Sequence, residues 1–195
     1  MASEVEICNS ALNMLGGSNI TSLTEDSKNA RLLNQRYESV RDGIFRSHTW
    51  NCLIKRVELA QDTDTPTHEY TYQYTLPSDC LRVLKIGGHH DGTSSDLDAG
   101  MKFKIEQRKL LTDEATIYLI YISKVTDPNE YDTLLIEAIA SKLAAELCYA
   151  ITSSTSLAGQ MYELYNEKLR EARFVDATEG TSENLDSSTF INSRY

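Results

Sequence analysis

The side chains able to do chemistry fall in a few short stretches of this 195-residue chain. His89, His90 and Asp91 offer imidazole and carboxylate, the ligand types of a divalent metal. They are contiguous, lie in a Gly-, Asp- and Ser-rich stretch, and have no further His or Cys at a matching interval, so an exposed turn is the simpler reading. His48, two residues before Trp50, could serve as a general base, and equally as a partly buried histidine at a helix end. Glu69, Asp79, Asp113 and Glu114 fall near predicted strand ends, where a glycosidase would set two carboxylates ~5 to 9 Å apart. With 29 acidic residues such coincidences are expected, and solvated surface accounts for them. Tyr70, Tyr72 and Tyr74 could stack on sugars or bases, although a packed or interface-facing strand uses tyrosine in the same way. Cys8, Cys52, Cys80 and Cys148 are scattered singly in apolar surroundings, the pattern of reduced, buried thiols. No nucleophile elbow, phosphate loop or dinucleotide fingerprint occurs. The expectation is a protein with no catalytic residue, metal or cofactor.

The elements that would position these groups begin with residues 127–151. Asp127, Pro128 and Glu130 have the types of a helix start, and Leu135, Ile139, Leu143, Leu147 and Ile151 recur every fourth residue. Leu134, Ala138, Ala145 and Cys148 widen the apolar stripe beyond half the circumference, which predicts a central helix packed on several sides. Ala138, Ala140, Ala144 and Ala145 keep its surface thin enough for close neighbours.

Ser3 and Glu6 form a capping box for a short first helix that Gly16 and Gly17 stop. A second helix is predicted from Thr24 to about Thr49, with Ala30, Leu33, Tyr37, Val40 and Ile44 inward and Arg31, Asn34, Glu38 and Arg41 outward. Residues 70–76, 81–86, 101–106 and 117–122 read as strands, the last so continuously apolar that both its faces should be covered. A final helix is expected over residues 156–175, with Glu163, Glu167, Lys168 and Arg170 on a solvated face. Residues 176–195 carry too few apolar groups to order themselves. The fold class is α+β and mainly α: a four-helix bundle-like body (residues 1–50 and 127–175), an inserted antiparallel β module (51–126), and a C-terminal arm (176–195) that orders on a partner.

A net charge of −10 opposes any grip on nucleic acid through counterion release, yet lets a wall pass DNA without holding it. No apolar run approaches the ~18 residues of a membrane span, and the first 16 residues show no secretory pattern.

Four segments resemble a known family: ALNMLGG at 11–17, NARLLNQRYESVRDGIFRSHTW at 29–50, YTLPSDCLRVL at 74–84 and EARFVDATEGTSE at 171–183. In order and spacing they are similar to the head-to-tail adaptors of tailed bacteriophages, in the tail tubular protein A branch of short-tailed phages. The resemblance implies a virion structural protein assembled in the host cytoplasm. It further implies a ring, usually of twelve copies, that joins the portal protein to the tail nozzle and continues the DNA channel. It also implies portal binding by the terminal stretch, carried here to Phe174, Leu185, Phe190, Ile191 and Tyr195. The alternative is a tail-associated peptidoglycan or polysaccharide hydrolase, which would have to use carboxylates such as Glu69 and Asp79.

Overall fold

A computed structural model of the chain describes residues 2–87 and 102–179. Helix α1 (Glu4–Met14) opens on the expected capping box: Ser3 Oγ accepts from Glu6 N at 3.1 Å and Glu6 Oε2 accepts from Ser3 N at 2.9 Å. Gly16 follows at φ 65, the left-handed conformation that lets the chain turn away without a Cβ penalty. Helix α2 (Lys28–Ser47) starts four residues later than expected. Ser27 caps it by accepting from Ala30 N at 3.2 Å, whereas Thr24 sits in a preceding turn and bonds Ser22 Oγ.

Strands β1 (Ile54–Leu59), β2 (Tyr72–Thr75), β3 (Cys80–Gly87), β4 (Phe103–Glu106), β5 (Lys109–Thr112) and β6 (Ile117–Ser123) form two antiparallel sheets, ordered β1-β6-β3 and β2-β5-β4. Helices α3 (Thr133–Thr152) and α4 (Thr155–Thr178) complete an α+β fold. The continuous apolar run of β6 has the anticipated cause. Ile122 joins the core built by the helices, while Ile117, Leu119 and Tyr121 join a second core between the two sheets. One strand therefore supplies both layers.

Strands β1 and β5 carry no clear two-residue alternation, and their existence depends on partners. Edge strand β1 pairs with β6 from Ile54↔Ile122 to Leu59↔Ile117, with Lys55 to Glu58 exposed. The β4–β5 turn consists of Gln107 at φ 44 and Arg108 at φ 64, a left-handed pair that ordinarily attracts Asn and Gly. Arg108 compensates: its guanidinium donates to Pro77 O at 2.6 Å, and its carbonyl accepts from Leu76 N at 3.0 Å.

Central helix α3 buries Leu135, Ala138, Ile139, Ala140, Leu143, Ala144, Leu147 and Cys148, and packs against α1, α2 and α4. Its start corrects the sequence expectation. Asp127, Pro128 and Glu130 make one separate 3-10 turn, and α3 proper is capped by Asp132, whose carboxylate accepts from Leu134 N at 2.8 Å. The break is imposed by Tyr131, which turns inward to stack edge-on against Phe45 and to donate to Val125 O at 2.9 Å.

Arg41 requires a second correction. Expected on the polar side of α2, its side chain is 1% exposed. The guanidinium lies over the Tyr37 ring at 5.6 Å, its Nε donates to Asp42 Oδ1 at 2.9 Å, and Glu4 and Glu38 approach to 3.6 and 3.5 Å. The cation is thus folded beneath three carboxylates from two helices. Burial alone would weaken its hold on the proton, and the bond and charge of Asp42 outweigh that, leaving its pKa above the ordinary value.

Candidate functional site

The C-terminal end of α2 leaves unpaired carbonyls that other elements must satisfy. Trp50 Nε1 and Ser47 Oγ both donate to Ile44 O, at 3.0 and 2.8 Å. Arg82 from β3 donates to Arg46 O at 3.0 Å and to Thr49 Oγ1 at 2.9 Å, and Arg173 from α4 reaches Ser47 Oγ at 3.1 Å. Cations at the negative end of a helix dipole are favourable there. Arg46 completes the ring by donating to Leu81 O.

Asp176, 6% exposed in the last turn of α4, closes this corner. It accepts from Asn51 N at 2.9 Å and contacts His48 Nε2 at 3.2 Å, while Asn51 Nδ2 donates to the Asp176 carbonyl at 2.7 Å. His48 also packs edge-on against Trp50. Burial lowers the His48 pKa, Asp176 opposes that, and the charges of Arg173 and Arg82 reinforce it, so the ring titrates below its ordinary 6.5. His48 is a fastening residue of the α2–α4 corner, in keeping with the partly buried alternative.

By sequence Asp176 stands at the root of the C-terminal arm, yet α4 runs through Thr178. A signal was present: Tyr165, Leu169, Ala172 and Asp176 continue one buried face at steps of four, three and four. Two residues before Asp176, Phe174 is 72% exposed, with Val175 at 36% beside it. Leu185, Phe190, Ile191 and Tyr195 lie outside the described residues, as do His89, His90 and Asp91.

A cleft of about 630 Å³ opens on the outer face of the β2-β5-β4 sheet, beneath a loop formed by residues 66–70. Glu69, at φ 71, and Tyr70 line it from the loop, and Lys104, Glu106 and Lys109 line it from the sheet. Its charges already answer one another: Lys104 Nζ is 2.8 Å from Glu106 Oε1, and Lys109 binds Asp62 and donates to Thr75 Oγ1 at 2.7 Å. Partial burial disfavours the Asp62 anion, but the bonds from Lys109 and Thr75 prevail and hold its pKa below the ordinary value.

The carboxylates singled out from sequence are dispersed. Asp79 does not line the cleft with Glu69; it accepts from Lys55 and from Tyr121 OH, both at 3.1 Å. Asp113 accepts from Thr71 N and Oγ1 at 2.9 Å, and Glu114 supplies the carbonyl that Tyr74 OH donates to at 2.7 Å. The tyrosine stripe forms no stacking platform, because Tyr74 is 1% exposed within the inter-sheet core and Tyr70 precedes the strand. Cys8, Cys80 and Cys148 are buried and Cys52 half-buried, with burial pushing the Cys8 thiol up to about 12. Among the described residues no group of His, Cys, Asp and Glu is arranged to hold a metal, and no helix is long and apolar enough to cross a membrane.

Fold and site together define an α+β protein in which, among the described residues, the most exposed large apolar group stands at the end of a firmly fastened helix. Compared with known proteins, the chain matches no family model and no curated protein.

Proposed function

We propose that this chain is a virion structural protein of a tailed bacteriophage. It forms a ring, of twelve copies by family resemblance, that joins the portal to the tail nozzle and continues the DNA channel. The four helices form its bundle-like body, the two sheets point toward the nozzle, and the chain beyond α4 engages the portal. The order and spacing of the four resembling segments support this reading. Structural support comes from one observation, the exposure of Phe174 beside the anchored Asp176. A rigid helix end that displays an aromatic group and leads into a polar arm suits capture of a partner at modest ordering cost. Closed rings need two different complementary faces on each subunit, and α3, flanked by α1, α2 and α4, leaves the outer faces of α2 and α4 for that purpose.

Mixing the purified chain with its portal and measuring the mass of the complex tests the proposal. A stoichiometric ring on the portal supports it. A chain that ignores the portal and cleaves peptidoglycan or capsule, with turnover lost in Glu69→Gln or Asp79→Asn, overturns it in favour of the hydrolase.

A further inference from the structure

Helix α4 outruns the helix it packs against. Lys142 Nζ of α3 lies 5.0 and 4.9 Å from the Tyr162 and Tyr165 ring centres, and Glu137 meets Lys168 at 3.2 Å, so the two helices run antiparallel in a fixed register. Continued at equal rise per residue, that register sets Thr133, the first residue of α3, level with about Ala172. Residues 173–178 therefore reach about 9 Å past the start of α3. Ala172 is the last residue of α4 in the helical core. Beyond it, among the described residues, Asp176 is the one buried side chain of the helix, while Phe174 and Val175 are exposed.

What fastens this overhang is polar and comes from one short segment. Among the described residues its hydrogen bonds to the rest of the chain all run to 47–51: Arg173 donates to Ser47 Oγ at 3.1 Å, and Asp176 meets His48 Nε2 at 3.2 Å and Asn51 N at 2.9 Å. Asn51 Nδ2 adds a bond to the Asp176 carbonyl. Arg173 Nε is buried without a hydrogen-bond partner, so the attachment is incompletely satisfied. A helix end held by hydrogen bonds, with no apolar core of its own, opens locally at far less cost than the whole chain.

The charges that face the His48 ring are Asp176 and Arg173 of α4 and Arg82 of β3, and Trp50 packs edge-on against it. The nearby Cys52 thiol, raised by burial first and then by the charge of Asp176, stays protonated where histidine titrates. One carboxylate thus favours an imidazolium here, and burial with two guanidiniums opposes it more strongly. Opening of the helix end withdraws Asp176 and Arg173 and lets water reach the ring, which then binds a proton at its ordinary pH. Acid therefore favours the open form. We propose that residues 173–178 are an acid-released latch, docked on residues 47–51 while His48 is neutral and freed as a unit, with Phe174 on it, once the imidazole is protonated.

The latch is a property of the chain alone, and its test is independent of the portal complex. Hydrogen exchange of the Val175 to Thr178 amides, corrected for the intrinsic effect of pH, is followed by NMR in the full chain from about pH 7 to 5. Their protection should fall by at least about threefold and by no more than about thirtyfold, the limit for one histidine that titrates at about 6.5 in the open form. The α3 amides from Ala138 to Leu147 should not follow. His48→Gln, its fold verified by circular dichroism, should hold the protection of the latch level across this range. Asp176→Asn, which retains an acceptor for Asn51 N, should deepen the fall. Constant protection in the parent chain would overturn the proposal. So would an equal fall in His48→Gln, or a parallel loss in α3, which marks global unfolding.

Discussion

His48 Nε2 lies 3.2 Å from Asp176 Oδ2, joining residues 128 positions apart at the corner where α2 ends and α4 finishes. Burial of the His48 ring at this corner carries a definite pH dependence, which Asp176 moderates. Because the folded-state pKa of His48 is depressed below 6.5, the unfolded chain holds more protons between the two values. The stability contribution is complete above 6.5 and is lost as pH falls through the folded-state value. Thermal unfolding between about pH 7 and 5, the range in which histidine titrates, should show a smaller decline for His48→Gln than for the parent chain. Asp176→Asn should show a steeper one, because it removes the anion that supports protonation while retaining an acceptor for Asn51 N.

Arg41 is buried beside carboxylates that are themselves partly exposed, with Glu38 at 69% and Asp42 at 25%. Its removal therefore strands no deeply buried anion, and the main loss is packing around Tyr37. Arg41→Ala should cost about 2 to 4 kcal/mol, in the range of large-to-small core substitutions, and Arg41→Met should recover roughly half by refilling the volume. Urea unfolding of both variants checks the order. A methionine variant as unstable as the alanine variant would show that the ion pairs, and not packing, hold Arg41 in place.

The turn residues Gln107 and Arg108 both occupy left-handed backbone. Gln107→Asn should stabilise the β4–β5 hairpin by about 0.5 kcal/mol, since asparagine tolerates that conformation better. Arg108→Gly relieves similar strain but removes the bond to Pro77 O, and should be destabilising. The opposite signs are readable in melting temperatures.

Removing residues 184–195 should leave the fold intact, because every residue of both described cores precedes them. Portal affinity should fall at least tenfold, and Phe174→Ser should weaken it further without lowering the melting temperature, as the ring is already 72% exposed. Binding by surface-immobilised portal measures both. Undiminished affinity in the truncated chain would remove the arm from the interface.

The sequence alone determined the helices and strands β2, β3, β4 and β6, because caps and periodicity act over a few residues. Ser3 and Glu6 cap α1 wherever that helix packs. The apolar run of β6 read as a strand covered on both faces, and the alanines of α3 marked it as central. Tertiary structure decided what depended on distant partners. Pro128 and Glu130 have the types of a helix start, but the inward turn of Tyr131 onto Phe45 moved that start to Asp132. Arg41 has the type and position of a surface residue, and Glu4 of another helix helped bring it inside. β1 and β5 lack strong local patterns and exist because β6 and the β2/β4 pair offer them hydrogen bonds. Asp176 reads as the start of a tail until Asn51, 125 residues earlier, donates its backbone N–H to it. Such contacts combine groups whose separation along the chain carries no local signal, so they become visible only once the chain has closed on itself.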